Sequence, residues 1–140
     1  MKDTPVKLKQ TIYQHASFSL PLVRRYLPFK AIATSCGDVL NACTGEPVEA
    51  SDYEDEDYTG CTARMVARTD IGSAVVLFEA STDAGTITLD GNLLQMDLDA
   101  ATTAALDFEQ AIAHIEVTRP DGQVQRQYAI DFKLSKAVAI

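Results

Sequence analysis

Apolar and polar residues alternate with a period of two along most of this chain, the pattern of strands that set one face on a core and the other toward solvent. The stretch 86–134 organises the rest. Within it, residues 111–118 run into a turn at Pro120-Asp121-Gly122 and residues 124–134 run out of it, which predicts a β-hairpin. On the returning strand Val124, Tyr128, Ile130, Phe132 and Leu134 fall on one face, with Arg126 as its single charged member. Upstream, residues 86–89 are expected to pair with 93–98 across Asp90-Gly91-Asn92, because Asp-Gly suits a tight turn that needs positive φ. Asp99 then stands where it can cap a short helical turn over 100–106.

The N-terminal half is less regular. Residues 1–10 are polar and lack periodicity, so they read as a flexible or partner-bound tail. A first strand is predicted over 11–23, with Pro21 confining its end to an edge or a bend. Residues 59–69 and 74–80 read as two further strands separated by a turn at Asp70-Ile71-Gly72-Ser73. Between the first and second core strands lies a long insert, 24–58, expected to hold a strand or short hairpin within 26–43 and an irregular acidic segment after it. A structureless loop of that length is uncommon in a compact domain unless it has a function.

Seven or eight short strands, one helical turn and no βαβ rhythm predict an all-β fold, an antiparallel two-sheet β-sandwich of Ig-like or jelly-roll-like kind. At 140 residues and 46% apolar content the chain suits one domain, 11–140, carrying the tail 1–10 and the arm 24–58. No segment has the form of a secretory signal, and no run approaches the ~18 apolar residues that span a membrane.

Charge changes the picture. The net charge is −8, distributed as +4 over residues 1–45, −7 over 46–60 and −5 over 61–140. That balance argues against nucleic acid, whose binders cluster Lys and Arg, and favours protein partners. The polarity between a basic N-terminal part and an acidic loop suits head-to-tail docking of neighbouring copies. The insert supplies the contact residues expected of such an arm: Arg24 and Arg25, facing acidic surface on a neighbour, and Tyr26, Leu27, Phe29, Ile32, Tyr53 and Tyr58, burying apolar area across an interface.

Candidate chemistry is sparse. The carboxylates of Asp52-Tyr53-Glu54-Asp55-Glu56-Asp57 lack the glycine and spacing of a calcium loop and read as a solvated acidic segment. Cys36, Cys43 and Cys61 are odd in number; Cys36 and Cys43 could close a small disulfide loop under oxidising conditions, and reduced thiols are the simpler reading. A zinc site from these cysteines and a histidine lacks the short paired spacings that preorganise one. His15 and His114 sit in predicted strands, and Ser17, Ser19, Asp131 and Cys61 form no recognisable nucleophile motif around them. No catalytic, cofactor or metal residues are therefore expected, and no enzyme activity.

Four segments carry a resemblance: 12–20 (Ile-Tyr-Gln-His-Ala-Ser-Phe-Ser-Leu), 58–68 (Tyr-Thr-Gly-Cys-Thr-Ala-Arg-Met-Val-Ala-Arg), 98–106 (Leu-Asp-Ala-Ala-Thr-Thr-Ala-Ala-Leu) and 115–126 (Ile-Glu-Val-Thr-Arg-Pro-Asp-Gly-Gln-Val-Gln-Arg). Together they resemble small structural proteins of tailed phages and prophages, similar to the N-terminal β-sandwich of phage upper baseplate proteins. The resemblance spans most of 11–134 outside the insert, where a short turn would be expected in place of residues 24–58. It implies a virion structural protein made in the bacterial cytoplasm, a tail or baseplate adaptor that links receptor-binding parts to the particle. Its partners would be other virion proteins and copies of itself, with no cofactor, nucleic acid or membrane. A capsid decoration (cement) protein and a soluble carbohydrate- or peptide-binding sandwich are the alternatives. The absence of Trp, the usual sugar-stacking residue, weighs against a carbohydrate site.

Overall fold

The computed structural model describes residues 5–137. The first strands are β1 (Val6–Tyr13), β2 (Phe18–Val23), β3 (Arg25–Tyr26), β4 (Ala31–Ala33), β5 (Val39–Asn41) and β6 (Glu54–Asp55), with a 3-10 turn at Ala50–Asp52. They are followed by β7 (Thr62–Arg68), β8 (Phe78–Ser81), β9 (Ile87–Asp90) and β10 (Leu93–Leu98). Helix α1 (Ala100–Ala104), β11 (Gln110–Thr118) and β12 (Val124–Ser135) complete the chain. The protein is all-β. A five-stranded sheet has the order β1-β12-β11-β7-β8, a three-stranded sheet has β2-β10-β9, and two small ladders, β3-β6 and β4-β5, form the arm.

The hairpins follow from turn chemistry. Asp90 pairs with Leu93, leaving Gly91-Asn92 as a two-residue loop in which Gly91 has φ +58, a left-handed value that glycine adopts at little cost. Asp99 caps α1 as its sequence suggests, accepting a hydrogen bond from the Thr102 amide at 2.8 Å.

Two departures concern the N-terminal segment. Residues 1–4 of the expected tail lie outside the described residues, but Val6–Gln10 belong to β1, which pairs with β12 in parallel. Leu8 stands opposite Ile130 and Ile12 opposite Leu134, so the inward positions of β1 meet the core face of β12, while polar Gln10, inward opposite Phe132, breaks the alternation. The single strand expected over 11–23 is two strands in different sheets. The chain leaves the large sheet at Tyr13, turns through His15 at φ +68, and enters the small sheet at Phe18.

A third departure corrects the face of β12. Pairing passes from Ile115 opposite Tyr128 to Glu116 opposite Arg126, so Gln127 is an extra residue on β12, a β-bulge. Side chains on the two sides of the bulge are out of phase. Tyr128, Ile130, Phe132 and Leu134 point inward, whereas Val124 and Arg126 are exposed. The one charged member of the expected apolar face is thereby moved to the outside.

The fourth is in residues 74–80, where only Phe78–Ser81 forms a strand; Ile71, Val75 and Val76 lie exposed in the loop before it. The two main sheets share one core. Phe132 of β12 meets Phe18 of β2 edge-on with ring centroids 6.1 Å apart and Phe78 of β8 at 5.4 Å, and Phe78 stacks on Phe108 at 5.9 Å. Ile12, Met65, Leu94, Met96 and Ile115 are fully buried around this cluster.

Candidate interaction arm and its buried anchor

Residues 25–55 leave the body between β2 and β7 and return without burying a single side chain. Local hydrogen bonding keeps this arm ordered. Ala31, Ile32 and Ala33 pair with Asn41, Leu40 and Val39, and Leu40 bridges Pro47. Asn41 Oδ1 accepts from the amides of Cys43 and Thr44, the short-range side-chain turn that asparagine favours. At the base, Arg25 pairs with Asp55 and Tyr26 with Glu54. Arg25 Nε lies 3.0 Å from Asp55 Oδ1, and its guanidinium sits 6.0 Å from the centroid of the Tyr53 ring.

Beneath the arm is a buried ionic cluster. Glu56 receives Arg119 Nη2 at 2.7 Å on Oε1 and faces Arg24 Nε at 3.4 Å on Oε2, so one carboxylate lies between two guanidiniums. Gln127, buried by the bulge, donates to Glu56 Oε2 at 3.3 Å and accepts from the Tyr58 hydroxyl at 2.6 Å. Arg119 also donates to Gln125 Oε1 and to the carbonyl of Asp57. The Arg24 guanidinium stands 5.9 Å from the centroid of the Tyr128 ring. Backbone bonds close the base: Arg24 N–H to Asn92 O, Glu56 N–H to Arg24 O, and Tyr58 N–H to Gly91 O. Burial raises the pKa of the Tyr58 and Tyr128 hydroxyls above the usual tyrosine value, so both remain protonated, and Tyr58 donates to Gln127. For Arg119, burial works against the charged form, but the hydrogen bond and charge of Glu56 outweigh it and raise its pKa.

This cluster is built to hold two chain segments, 24–26 and 54–58, against the β9–β10 and β11–β12 turns. Buried charges are costly unless paired and hydrogen-bonded; here Arg24–Glu56 ties the two base segments to each other, and Arg119 and Gln127 tie them to the body. Removal of one partner strands the others.

Of the residues expected to form an interface, the structure separates two. Arg24 and Tyr58 are buried, 5% and 2% exposed, and face the body; the expectation that they meet a neighbour is corrected by the cluster that engages them. Arg25, Ile32 and Tyr53 are exposed, and Tyr26, Leu27 and Phe29 are half-buried, all on the arm.

The acidic segment is more structured than its composition suggests. Asp52 accepts from the Glu49 amide, Asp57 accepts from the backbone and hydroxyl of Thr59, and Glu56 points inward. No group of three or more His, Cys, Asp or Glu side chains among the described residues is arranged to hold a metal ion. Cys36 and Cys43 are free and exposed. Cys36 lies in the turn of the β4–β5 hairpin and Cys43 beyond its open end. The extended residues Val39–Asn41 lie between them. Cys61 Sγ instead receives Arg119 Nη1 at 3.6 Å.

His15 is exposed at the corner between the sheets, and His114 lies on the outer face of the large sheet, flanked across the strands by Val66 and Ala129. Partial burial, with Arg126 close by, lowers the His114 pKa and keeps the ring neutral at pH 7.

Sequence reasoning missed Glu56, Arg119 and Gln127 as a unit. Glu56 is one of seven carboxylates within residues 46–60, and the alternation of β12 assigns Gln127 to the solvent face. No protein-family model matches the chain, and no curated protein matches it in sequence.

Proposed function

We propose that this chain is a structural protein of a bacteriophage particle, a tail or baseplate adaptor whose arm joins it to its neighbours. The single observation that carries the assembly role is the arm: ordered, rooted in a buried ionic cluster, and without one buried side chain over residues 25–55. An ordered excursion of this length that covers no core of its own is suited to being covered by another subunit. The resemblance to phage baseplate sandwiches supplies the particle.

The reading is tested by immunogold labelling of particles released from induced cells that carry the gene, using serum against the purified protein. Label at the tail or its tip is the expected result. Label over the head would replace the adaptor by a capsid decoration protein, and particles free of the protein by both label and mass spectrometry would contradict a virion role.

A further inference from the structure

The outer face of the five-stranded sheet is basic, although the chain as a whole carries −8. Arg64 and Arg126 flank Glu116 across the strands, Arg68 lies beside Ile112, and Lys9 pairs with Asp131. With Lys7 and Lys133, six basic side chains share this face with three acidic ones, Glu79, Glu116 and Asp131, a balance of +3. At its centre is a depression of about 400 Å³ whose charged lining is Arg64, Arg68 and Arg126 against Asp70 and Glu116, a balance of +1, with Ile71 at its edge. The adjoining loop, 69–77, leaves Ile71 82%, Val75 66% and Val76 39% exposed, so a basic field borders an apolar knob.

The arm is its complement. Residues 25–55 contain Arg25 and Lys30 against six carboxylates, a balance of −4, and present Ile32, Val39 and Tyr53 as exposed apolar side chains. The two surfaces stand at opposite ends of the large sheet. The arm is rooted beside Gly91 and the β11–β12 turn, where Thr62 of β7 lies opposite Thr118. The apolar loop follows Arg68, at the other end of β7, ~20 Å away at ~3.3 Å per residue. Complementary patches at opposite ends of one molecule make a heterologous contact, in which each copy gives its arm to the next.

We propose that the acidic arm of one copy docks on the basic outer sheet face and the 69–77 loop of a second copy, forming head-to-tail rings or filaments. This inference rests on the arm being an assembly device and names its partner as the same chain. The charge steers the approach, and the apolar side chains on both surfaces supply the contact core.

Sedimentation velocity on the purified full-length protein tests it. Self-association is expected to rise with concentration in ~0.05 M salt and to weaken at least about tenfold in ~1 M salt, where the screening length falls to ~3 Å. A face variant, R64E/R68E, and an arm variant, E46K/E49K, should each sediment as monomers while still unfolding cooperatively on heating. Mixed in equal amounts they should associate again, because the reversed arm of one now fits the reversed face of the other. Wild-type protein that stays monomeric to roughly 1 mM would overturn the proposal, as would association that survives both reversals or fails to return in the mixture. A protein monomeric in solution that still labels particles would leave the virion role standing and exclude only the self-contact.

Discussion

Glu56 differs from its acidic neighbours only in where the fold puts it. Its carboxylate is the single negative charge between the guanidiniums of Arg24 and Arg119, at 3.4 and 2.7 Å, in a site where its own side chain is 3% exposed. Glu56→Ala is expected to cost ~3–5 kcal/mol in urea unfolding, since it leaves buried positive charge without its counter-ion. A loss below ~1 kcal/mol would mean that the cluster does not anchor the arm's base. Asp99 acts through a different term. Hydrogen bonds from Thr102, side chain first and backbone second, hold its carboxyl below the usual aspartate pKa, so its contribution is present above the unfolded value of ~3.9 and disappears as the pH falls through the lowered folded value. The stability gap between the wild type and Asp99→Ala should therefore be constant near neutrality and close in acid. A gap that persisted unchanged to the lowest pH at which the fold survives would show that the charged cap is not its source.

At the scale of elements, the bulge in β12 decides which residues are core. Gln127 is the inserted residue, and it reverses the phase of the strand so that Arg126 leaves the apolar side. Deleting Gln127 would place Arg126 directly before Tyr128 in simple alternation, with Arg126 still outward opposite Glu116, and would remove the amide that bridges Glu56 and Tyr58. The deletion and Gln127→Ala are both expected to unfold cooperatively in urea with reduced stability, because each leaves Glu56 and the Tyr58 hydroxyl without the Gln127 amide; stability equal to the wild type in both would show that Gln127 does not hold the cluster. The hairpins at Asp90-Gly91 and Pro120-Asp121-Gly122, the α1 cap at Asp99 and the alternation of β7, β10, β11 and β12 were all legible in the sequence, because each rests on local turn chemistry or a period of two. The bulge was not, since an extra residue leaves the composition of a strand unchanged. The role of β1 was obscured for another reason: polar Gln10 occupies an inward position opposite Phe132, and its partner β12 is remote in sequence and parallel. The loss of strand over 74–77 shows the converse, an apolar run that reads as core by composition yet leaves Val75 and Val76 on the surface.

At the scale of the molecule, the protein is an all-β body with an arm fastened at one end of its large sheet. Of the residues expected at an interface, Arg25, Ile32 and Tyr53 lie exposed on the arm, whereas Arg24 and Tyr58 are buried in its fastening, because a buried cluster assembled from residues 24, 56, 58, 119 and 127 has no signature in any one segment. That division fixes where the arm can be cut. Removing 24–57 would take Glu56 and Arg24 away from Arg119, but Tyr26 pairs with Glu54, so a short glycine-rich turn joining these two residues can replace 27–53 while the base remains. The most direct measurement is the particle incorporation of this arm-trimmed protein, scored by quantitative mass spectrometry on purified particles alongside its melting temperature. The expected result is a protein that melts cooperatively close to the wild type and is absent from particles. A trimmed protein that melts like the wild type and enters particles at the wild-type level would contradict the claim that the arm is the assembly device.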